Sequence, residues 1–240
     1  MRAGPSADVP HLDEKTKAEL RSSGLPHTQD ARERGIPSLG SGAIYPVPES
    51  EFVCEPFAIP PEWPRSYGLD VGWNKTACIW GARDRNTDTV YLYAEHYRGK
   101  AEPSIHATAI KARGVWIPGV IDPAARGRMQ KDGEQLIEMY RQLGLLLLPA
   151  RNDIEAGLYM VWERLSTGRL KVFRTCLNFL AEYRNYRRDE HGRIVKEDDH
   201  LQDSCRYLVI SGLELAIPMP FTGLRPGAAS AAQGDPAVGY

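Results

Sequence analysis

The spacing of hydrophobic and polar residues becomes regular partway along the chain. Residues 67–71, 76–83 and 89–97 are rich in β-branched and aromatic residues, as strands are. The connections between them, residues 72–75 and 84–88, are short and rich in turn-forming residues. The pattern therefore predicts a meander of three antiparallel strands.

Beyond the meander, segments with helical spacing alternate with short apolar runs. The predicted helices are residues 102–113, 132–144, 153–166, 176–182 and 199–215. The predicted strands are residues 119–122, 145–148 and 170–173, and a hairpin is predicted over residues 183–196 around a turn at 189–192. The apolar run LGLLLLPA, residues 143–150, predicts a fully buried strand.

Antiparallel strands followed by alternating helices and strands indicate one mixed sheet with helices on both faces. This order predicts an α/β protein with a ribonuclease H-like fold: three antiparallel strands and then parallel strands. We place this domain at residues 61–217. Residues 1–60 carry closely spaced Pro, Gly and Ser and one short helical stretch at 14–21, so we expect an extended arm or linker there. Residues 218–240 are small and polar, which predicts a flexible tail.

Composition excludes several classes of protein. The formal net charge of the 240 residues is -1, which excludes a globally basic nucleic-acid binder but not a local basic patch. No apolar run approaches the roughly 18 residues of a membrane helix, and the N-terminus lacks the apolar centre of a secretory signal. We therefore expect no membrane partner and an intracellular protein that is not secreted.

The cysteines are scattered without a CxxC pair, which argues against a zinc site and against a disulfide framework. They are Cys54, Cys78, Cys176 and Cys205.

Two carboxylates stand at the ends of predicted strands. Asp70 lies inside the apolar run YGLDV, and Asp122 follows the apolar run GVI directly before Pro123. Burying an unpaired carboxylate costs several kcal/mol, so each needs a cation, a metal ion or a hydrogen-bond partner. Two interpretations stay open at this point: a ligand site, or capping of the Gly72 turn by Asp70 and of a turn or helix by Asp122.

A third acidic group opens the last predicted helix. Asp199 and Asp203 are four residues apart and share one face with His200. Like charges at this spacing repel, so a cation against that face would stabilise the helix. The alternative is an acidic cluster favoured by the helix dipole, which accounts for Asp198 and Asp199 better than for Asp203 in the second turn.

Three motifs, YGLDVGWNKTA, GVIDPAA and DDHLQDSCRY, resemble in order and spacing the nuclease domain of the large terminase subunit of tailed double-stranded DNA bacteriophages. The resemblance covers residues 44–216, and the stretch LGSGAIYPVPESEF resembles the segment that leads from the ATPase domain of that family into its nuclease. It implies an endonuclease that cuts concatemeric viral DNA during genome packaging. Its catalytic acids fall on Asp70, Asp122 and Asp203, with Asp199 and His200 as auxiliaries.

The resemblance also implies cofactors and partners. Three converging carboxylates can hold two divalent cations, and oxygen ligands favour Mg²⁺ or Mn²⁺. We assign Asp70 as the bridging ligand. The implied partners are double-stranded DNA, the portal, the small terminase subunit and an ATPase domain, in the cytoplasm of an infected bacterium. No stretch matches the phosphate-binding pattern GxxxxGK[ST], so we expect the nuclease half of a longer protein, with residues 1–60 as the connection.

Basic residues near the predicted acids are candidates for low-specificity contacts to the DNA backbone. They are Arg126, Arg128, Lys131, Arg184, Arg187 and Arg188. The alternative for each is an ordinary solvated charge. Lys75 and Lys196 lie near predicted acids in sequence. We expect each either to act in the reaction, by contacting the scissile phosphate or tuning a metal-bound water, or to form a salt bridge.

Aromatic and histidine residues carry less information. We expect Trp73 and Trp80 to belong to the core rather than to stack on bases. The three histidines His96, His106 and His191 fit no spacing typical of metal ligands.

Two other functions are compatible with the same acids. A Holliday-junction resolvase or transposase-like nuclease would cut branched DNA and spare linear duplex. A catalytically silent DNA-binding or assembly module would bind DNA without binding Mn²⁺.

Overall fold

The computed structural model describes residues 42–123 and 132–220, with the backbone alone at 132–135. The strands are β1 (Gly42–Ala43), β2 (Val53–Cys54), β3 (Arg65–Asp70), β4 (Thr76–Asp84), β5 (Thr89–Arg98), β6 (Gly119–Ile121), β7 (Leu147–Pro149), β8 (Leu170–Phe173) and β9 (Arg187–Arg188). The helices are α1 (Glu49–Phe52), α2 (Pro103–Lys111), α3 (Asp132–Gln142), α4 (Ile154–Ser166), α5 (Leu177–Asn185), α6 (His200–Tyr207) and α7 (Leu213–Leu215), with a π-helical segment, Leu208–Gly212, joining the last two.

The main sheet has seven strands in the order β2-β8-β5-β4-β3-β6-β7. The central strands β3, β4 and β5 pair antiparallel, and β6, β7, β8 and β2 add to either side in parallel. This mixed sheet confirms the predicted α/β fold and the predicted order of strands.

The two faces of the sheet bury different residues of the same strands. On β4, Cys78 and Trp80 face α2 and α3, where they pack with Tyr140 and other apolar side chains. Ala77 and Ile79 face the opposite way, into a core shared with α4, α5 and α6. The period of two along a strand therefore gives the sheet helices on both faces, as predicted.

Part of the predicted arm packs on this domain. Tyr45 and Phe52 are buried in the core, and β2 pairs in parallel with β8 at the edge of the main sheet. β1 pairs with β9 in a separate two-stranded sheet. The short helix predicted at 14–21 and the predicted tail after residue 220 lie outside the described residues, and the division into arm, domain and tail stays a prediction.

Two local predictions were wrong. Leu146 and Leu148 are 52% and 48% exposed, whereas Leu145 and Leu147 are buried, so this run buries only one of its two faces. The predicted hairpin is also shorter than expected, since residues 183–185 finish α5. Its turn is confirmed: the Gly192 amide donates to the Asp189 carbonyl at 3.0 Å.

No helix in the described part of the chain is both long enough and apolar enough to cross a membrane.

Helix α6 lies directly on β3 at Gly68. A Cβ atom built on Gly68 would stand 1.9 Å from the backbone oxygen of Ser204 and 3.0 Å from the Leu208 nitrogen. Because backbone atoms cannot move aside as a flexible side chain can, only glycine permits this approach. The contact fixes how α6 sits relative to the carboxyl end of β3.

Gly68→Ala should therefore lower the free energy of unfolding by at least about 2 kcal/mol, since the added methyl group must push helix and strand apart. Gly212→Ala is the matched control, because its Cβ would meet only side-chain atoms, the nearest at 3.1 Å. Its effect should stay within about 1 kcal/mol. Urea denaturation measures both, and equal losses for the two variants would contradict this account of Gly68.

Candidate metal centre

Two of the predicted acids meet at one edge of the main sheet. Asp70 is the last residue of β3, and Asp122 follows the last residue of β6. These strands are parallel neighbours in which Leu69 pairs with Ile121, and the Asp122 amide donates to the Leu69 carbonyl at 3.1 Å. The side chains of Asp70 and Asp122 therefore start from adjacent backbone positions, at the edge where α/β proteins bind ligands.

The third acid comes from α6. Asp203 lies in the first turn of this helix, next to Ser204, whose backbone contacts Gly68 and whose hydroxyl donates to the Ala77 carbonyl at 3.0 Å. Burial raises the pKa of Asp70, and the charges of Asp203 and Asp122 raise it further. The packing of α6 on β3 thus brings Asp203 into the same electrostatic environment as the two strand-end acids.

His200 forms a direct contact with Asp70. Its Nδ1 lies 2.8 Å from Asp70 Oδ2, and the two side chains are 33% and 14% exposed. The hydrogen bond raises the pKa of His200 against the opposing effect of burial. The same hydrogen bond lowers the pKa of Asp70 but does not offset the burial of that carboxylate, so both pKa values lie above their usual range.

Cations hold both oxygens of Asp203. Lys196 Nζ lies 3.0 Å from Asp203 Oδ2 and 2.8 Å from Asp199 Oδ2. The buried Arg206 donates to Asp203 Oδ1 from Nη2 at 2.9 Å and from Nε at 3.2 Å. Burial alone would lower the pKa of Lys196, but the carboxylates of Asp203 and Asp199 raise it above its usual value. Of the two alternatives for Lys196, the salt bridge is the one this structure contains.

Arg206 belongs to the site although it was not among the residues predicted for it. The sequence spacing could have predicted this contact, because Asp203 and Arg206 are three residues apart and so lie on one face of a helix.

The donor set at this edge fits a hard divalent cation. Asp70, Asp122 and Asp203 offer only carboxylate oxygens, which Mg²⁺ and Mn²⁺ prefer. Within the described ranges, no three His, Cys, Asp or Glu side chains already stand in positions to coordinate one ion. In this arrangement Lys196, Arg206 and, when protonated, His200 supply positive charge beside the acids.

The predicted DNA-binding residues divide into two groups. Arg184 forms a bidentate salt bridge with Glu49, with contacts of 2.6 and 2.8 Å. Arg188 Nη2 contacts both carboxylate oxygens of Glu155, at 2.8 and 3.0 Å. Arg187 is exposed, 4.0 Å from a Glu197 oxygen. The second group lies outside the described residues: Arg126, Arg128 and Lys131. Contact of any of the six with DNA stays a prediction.

The turn after Asp70 differs from expectation. Trp80 is fully buried, as predicted, but Trp73 is 65% exposed, so its assignment to the core was wrong. A backbone hydrogen bond holds the turn, since the Lys100 amide donates to the Trp73 carbonyl at 2.8 Å. The Lys75 ammonium lies over the Tyr97 ring, 4.1 Å from its centre.

Comparison with known proteins identifies the family of this chain. A family model described as "Terminase RNaseH-like domain" matches residues 67–211. The large terminase subunit of Salmonella phage P22 is 33% identical over 211 residues, which cover 83% of this chain and 42% of that protein. The chain therefore spans less than half the length of the large subunits it matches.

Solved structures give the same assignment. The nuclease domain of the P22 large terminase superposes with a TM-score of 0.70 at 31% identity, covering 76% of this chain and 97% of that domain. The nuclease domain of the large terminase of bacteriophage SPP1, solved with bound Mn, has a TM-score of 0.51 at 17% identity and shares the fold, covering 67% of this chain and 96% of that one. By the family match over residues 67–211 and the identity to the P22 subunit, the chain belongs to the terminase RNaseH-like domain family.

Proposed function

We propose that this domain is a metal-dependent endodeoxyribonuclease that cuts concatemeric viral double-stranded DNA during genome packaging, with little sequence preference. The observation that carries the proposal is the convergence of Asp70, Asp122 and Asp203 from two neighbouring strands and one helix. Membership of the terminase RNaseH-like domain family supports a packaging nuclease. The related P22 domain, covered over 97% of its length, supports the nuclease assignment.

In this proposal Asp70, Asp122 and Asp203 would hold two divalent cations, Mg²⁺ or Mn²⁺, with Asp199 as an auxiliary ligand. When bound, such cations activate a water and stabilise the leaving oxygen of a phosphodiester. The Mn in the related SPP1 structure supports this choice of metal.

The residues around the acids orient them. His200 holds Asp70 through Oδ2, and Oδ1 is the oxygen that we propose would bind a cation. Arg206 fixes Asp203 from the buried side through Oδ1, so that Oδ2, now held by Lys196, is the oxygen available to a cation. Lys196 itself is more than half exposed and can turn toward a phosphate once a metal ion neutralises the acids.

The proposed substrate and partners follow from the relatives. Double-stranded DNA is the substrate, and an ATPase domain, the portal and the small terminase subunit are the proposed partners in the host cytoplasm. The stretch with Arg126, Arg128 and Lys131 and the region with Arg184, Arg187 and Arg188 are proposed to contact the DNA backbone.

Asp70→Asn, Asp122→Asn and Asp203→Asn should each reduce Mn²⁺-dependent nicking of a plasmid more than about 100-fold, because each removes a charged ligand from the cations that stabilise the transition state. Asp153→Asn is the matched control: asparagine caps a helix as well as aspartate does, so its activity should match that of the parent chain. Thermal melting checks that the variants fold.

Three results would count against the proposal. Full nicking by any of the three variants removes that acid from the site. A parent chain that cuts branched DNA but spares linear duplex is a resolvase-like enzyme, and one that binds DNA without cutting it in Mn²⁺ is a binding module.

Lys196→Gln should lower the melting temperature by about 2–4 °C in EDTA, because Asp199 and Asp203 then repel each other without a shared cation. The difference should shrink in saturating Mn²⁺, which takes over the neutralisation. Lys171→Gln, at a lysine that donates to the Glu51 carbonyl, is the control whose effect should not depend on Mn²⁺. If the melting temperatures of the parent chain and Lys196→Gln differ equally with and without Mn²⁺, that result would contradict a metal site beside Lys196.

His200 gives the metal-free protein a pH-dependent stability. The native pKa of His200 is raised, so its charged pair with Asp70 stabilises the fold below the unfolded pKa of about 6.5 and is lost as pH rises through the native pKa. In EDTA, the gap in melting temperature between the parent chain and His200→Gln should therefore be larger at about pH 6 than at about pH 8.5. The trend should vanish in an Asp70→Asn background, and its persistence there would assign it to another group.

A further inference from the structure

Helix α6, which carries the third acid, begins without a cap from its own sequence. Asp199 occupies the position before its first residue, where an aspartate side chain commonly accepts a hydrogen bond from an amide of the first turn. Here the Asp199 side chain makes no such bond, and its Oδ2 lies against Lys196 at 2.8 Å. The carboxylate of Asp199 is thus turned to the acid cluster instead of the helix end.

Glu182 of α5 caps α6 in its place. Its Oε2 accepts from the Leu201 amide at 2.6 Å and from the Gln202 amide at 3.2 Å. One turn earlier on α5, the Phe179 carbonyl accepts from Gln202 Nε2 at 3.0 Å. Two polar contacts from one helix therefore hold the first turn of the next.

The helix before α6 is also capped by a glutamate from a different element. Helix α5 also lacks a side-chain cap of its own, and Glu95 of β5 supplies one. Glu95 Oε1 accepts from the Asn178 amide at 2.9 Å, and Oε2 accepts from the Phe179 amide at 2.9 Å. A carboxylate on the sheet thus holds α5, and a carboxylate on α5 holds α6.

Burying Glu182 is costly. The residue is 3% exposed, and burial raises its pKa to about 7 against the hydrogen bonds from the two capped amides. Leucine or methionine would fill the same volume without this desolvation cost. The buried carboxylate of Glu182 is therefore better explained by its hydrogen bonds to the first turn of α6 than by its packing in the core.

We propose that Glu182 is a positioning residue of the metal centre. By capping α6 from outside, it leaves the Asp199 carboxylate to the acid cluster and fixes the turn that presents His200 and Asp203 to Asp70. Glu95 acts one step further away by holding α5. The inference rests on the metal centre under the proposed function and adds a residue that touches none of the three acids.

Glu182→Ala should weaken Mn²⁺ binding by about 10-fold, the effect typical of losing an outer partner of a metal site. Calorimetric titration of the 240-residue chain with Mn²⁺ measures it. Asp153→Ala is the matched control, because it removes the cap of α4, where the Asp153 side chain accepts from the Ala156 amide at 3.0 Å. Its Mn²⁺ affinity should stay within about 2-fold, although the lost cap destabilises it too.

Conservative variants separate the effect of capping from the effect of charge. They also test the inference if Glu182→Ala does not fold. Glu182→Gln keeps an acceptor oxygen at the same reach, so its Mn²⁺ affinity should stay within about 3-fold of the parent chain. Glu182→Asp keeps the charge but is one methylene shorter, so its affinity should fall toward that of the alanine variant. Mn²⁺ affinity that falls in the order Glu182, Glu182→Gln, Glu182→Asp supports the positioning role. An aspartate variant that binds Mn²⁺ more tightly than the glutamine variant overturns that role.

Hydrogen exchange distinguishes this inference from the metal proposal. Exchange of the amides of residues 200–207 in EDTA should accelerate in Glu182→Ala and not in Asp153→Ala. A parent chain that fails to bind Mn²⁺ contradicts the metal centre, whatever the exchange shows. Unchanged exchange in Glu182→Ala, or metal affinity equal to that of Asp153→Ala, overturns the role of Glu182 alone.

Discussion

The backbone contact between α6 and β3 is the constraint on which the candidate site depends. A helix can bring carboxylates to the end of a strand only if it lies close to that strand, and Gly68 provides the space against Ser204. The core on this face, which includes Leu201 and Leu208, is built around that approach. A larger residue at position 68 would move Asp203 away from Asp70 even with every acid intact.

Electrostatics determine what the converged acids need. Burial raises the pKa of Asp70, and Asp203 and Asp122 add like charges beside it. Lys196, His200 and Arg206 offset part of this repulsion, and two of the three, Lys196 and His200, are side chains with substantial exposure. A site whose acids are neutralised by movable cations can exchange those cations for divalent metal ions, whereas Arg206, buried beneath Asp203, stays as a fixed orienting group.

The sequence was most informative where chemistry follows from topology. Asp70 and Asp122 end two apolar runs, and the carboxyl ends of neighbouring parallel strands meet at one edge, so their adjacency could be predicted. Spacing could not reveal Glu182, because its partners lie on a different helix and leave no periodic signal. Hydropathy failed at Leu148, since an apolar run does not show whether both faces of its strand are covered. It failed at Trp73 because the residue lies in a turn, outside the alternating pattern.

Anomalous diffraction from a crystal of this chain soaked in Mn²⁺ tests the central claim most directly. We expect anomalous peaks in contact with Asp70, Asp122 and Asp203, with the Lys196 ammonium displaced from Asp203 Oδ2 and the Arg206 contact to Oδ1 retained. Manganese bound elsewhere, or no peak at the three acids while Lys196 keeps its place between Asp199 and Asp203, would contradict it.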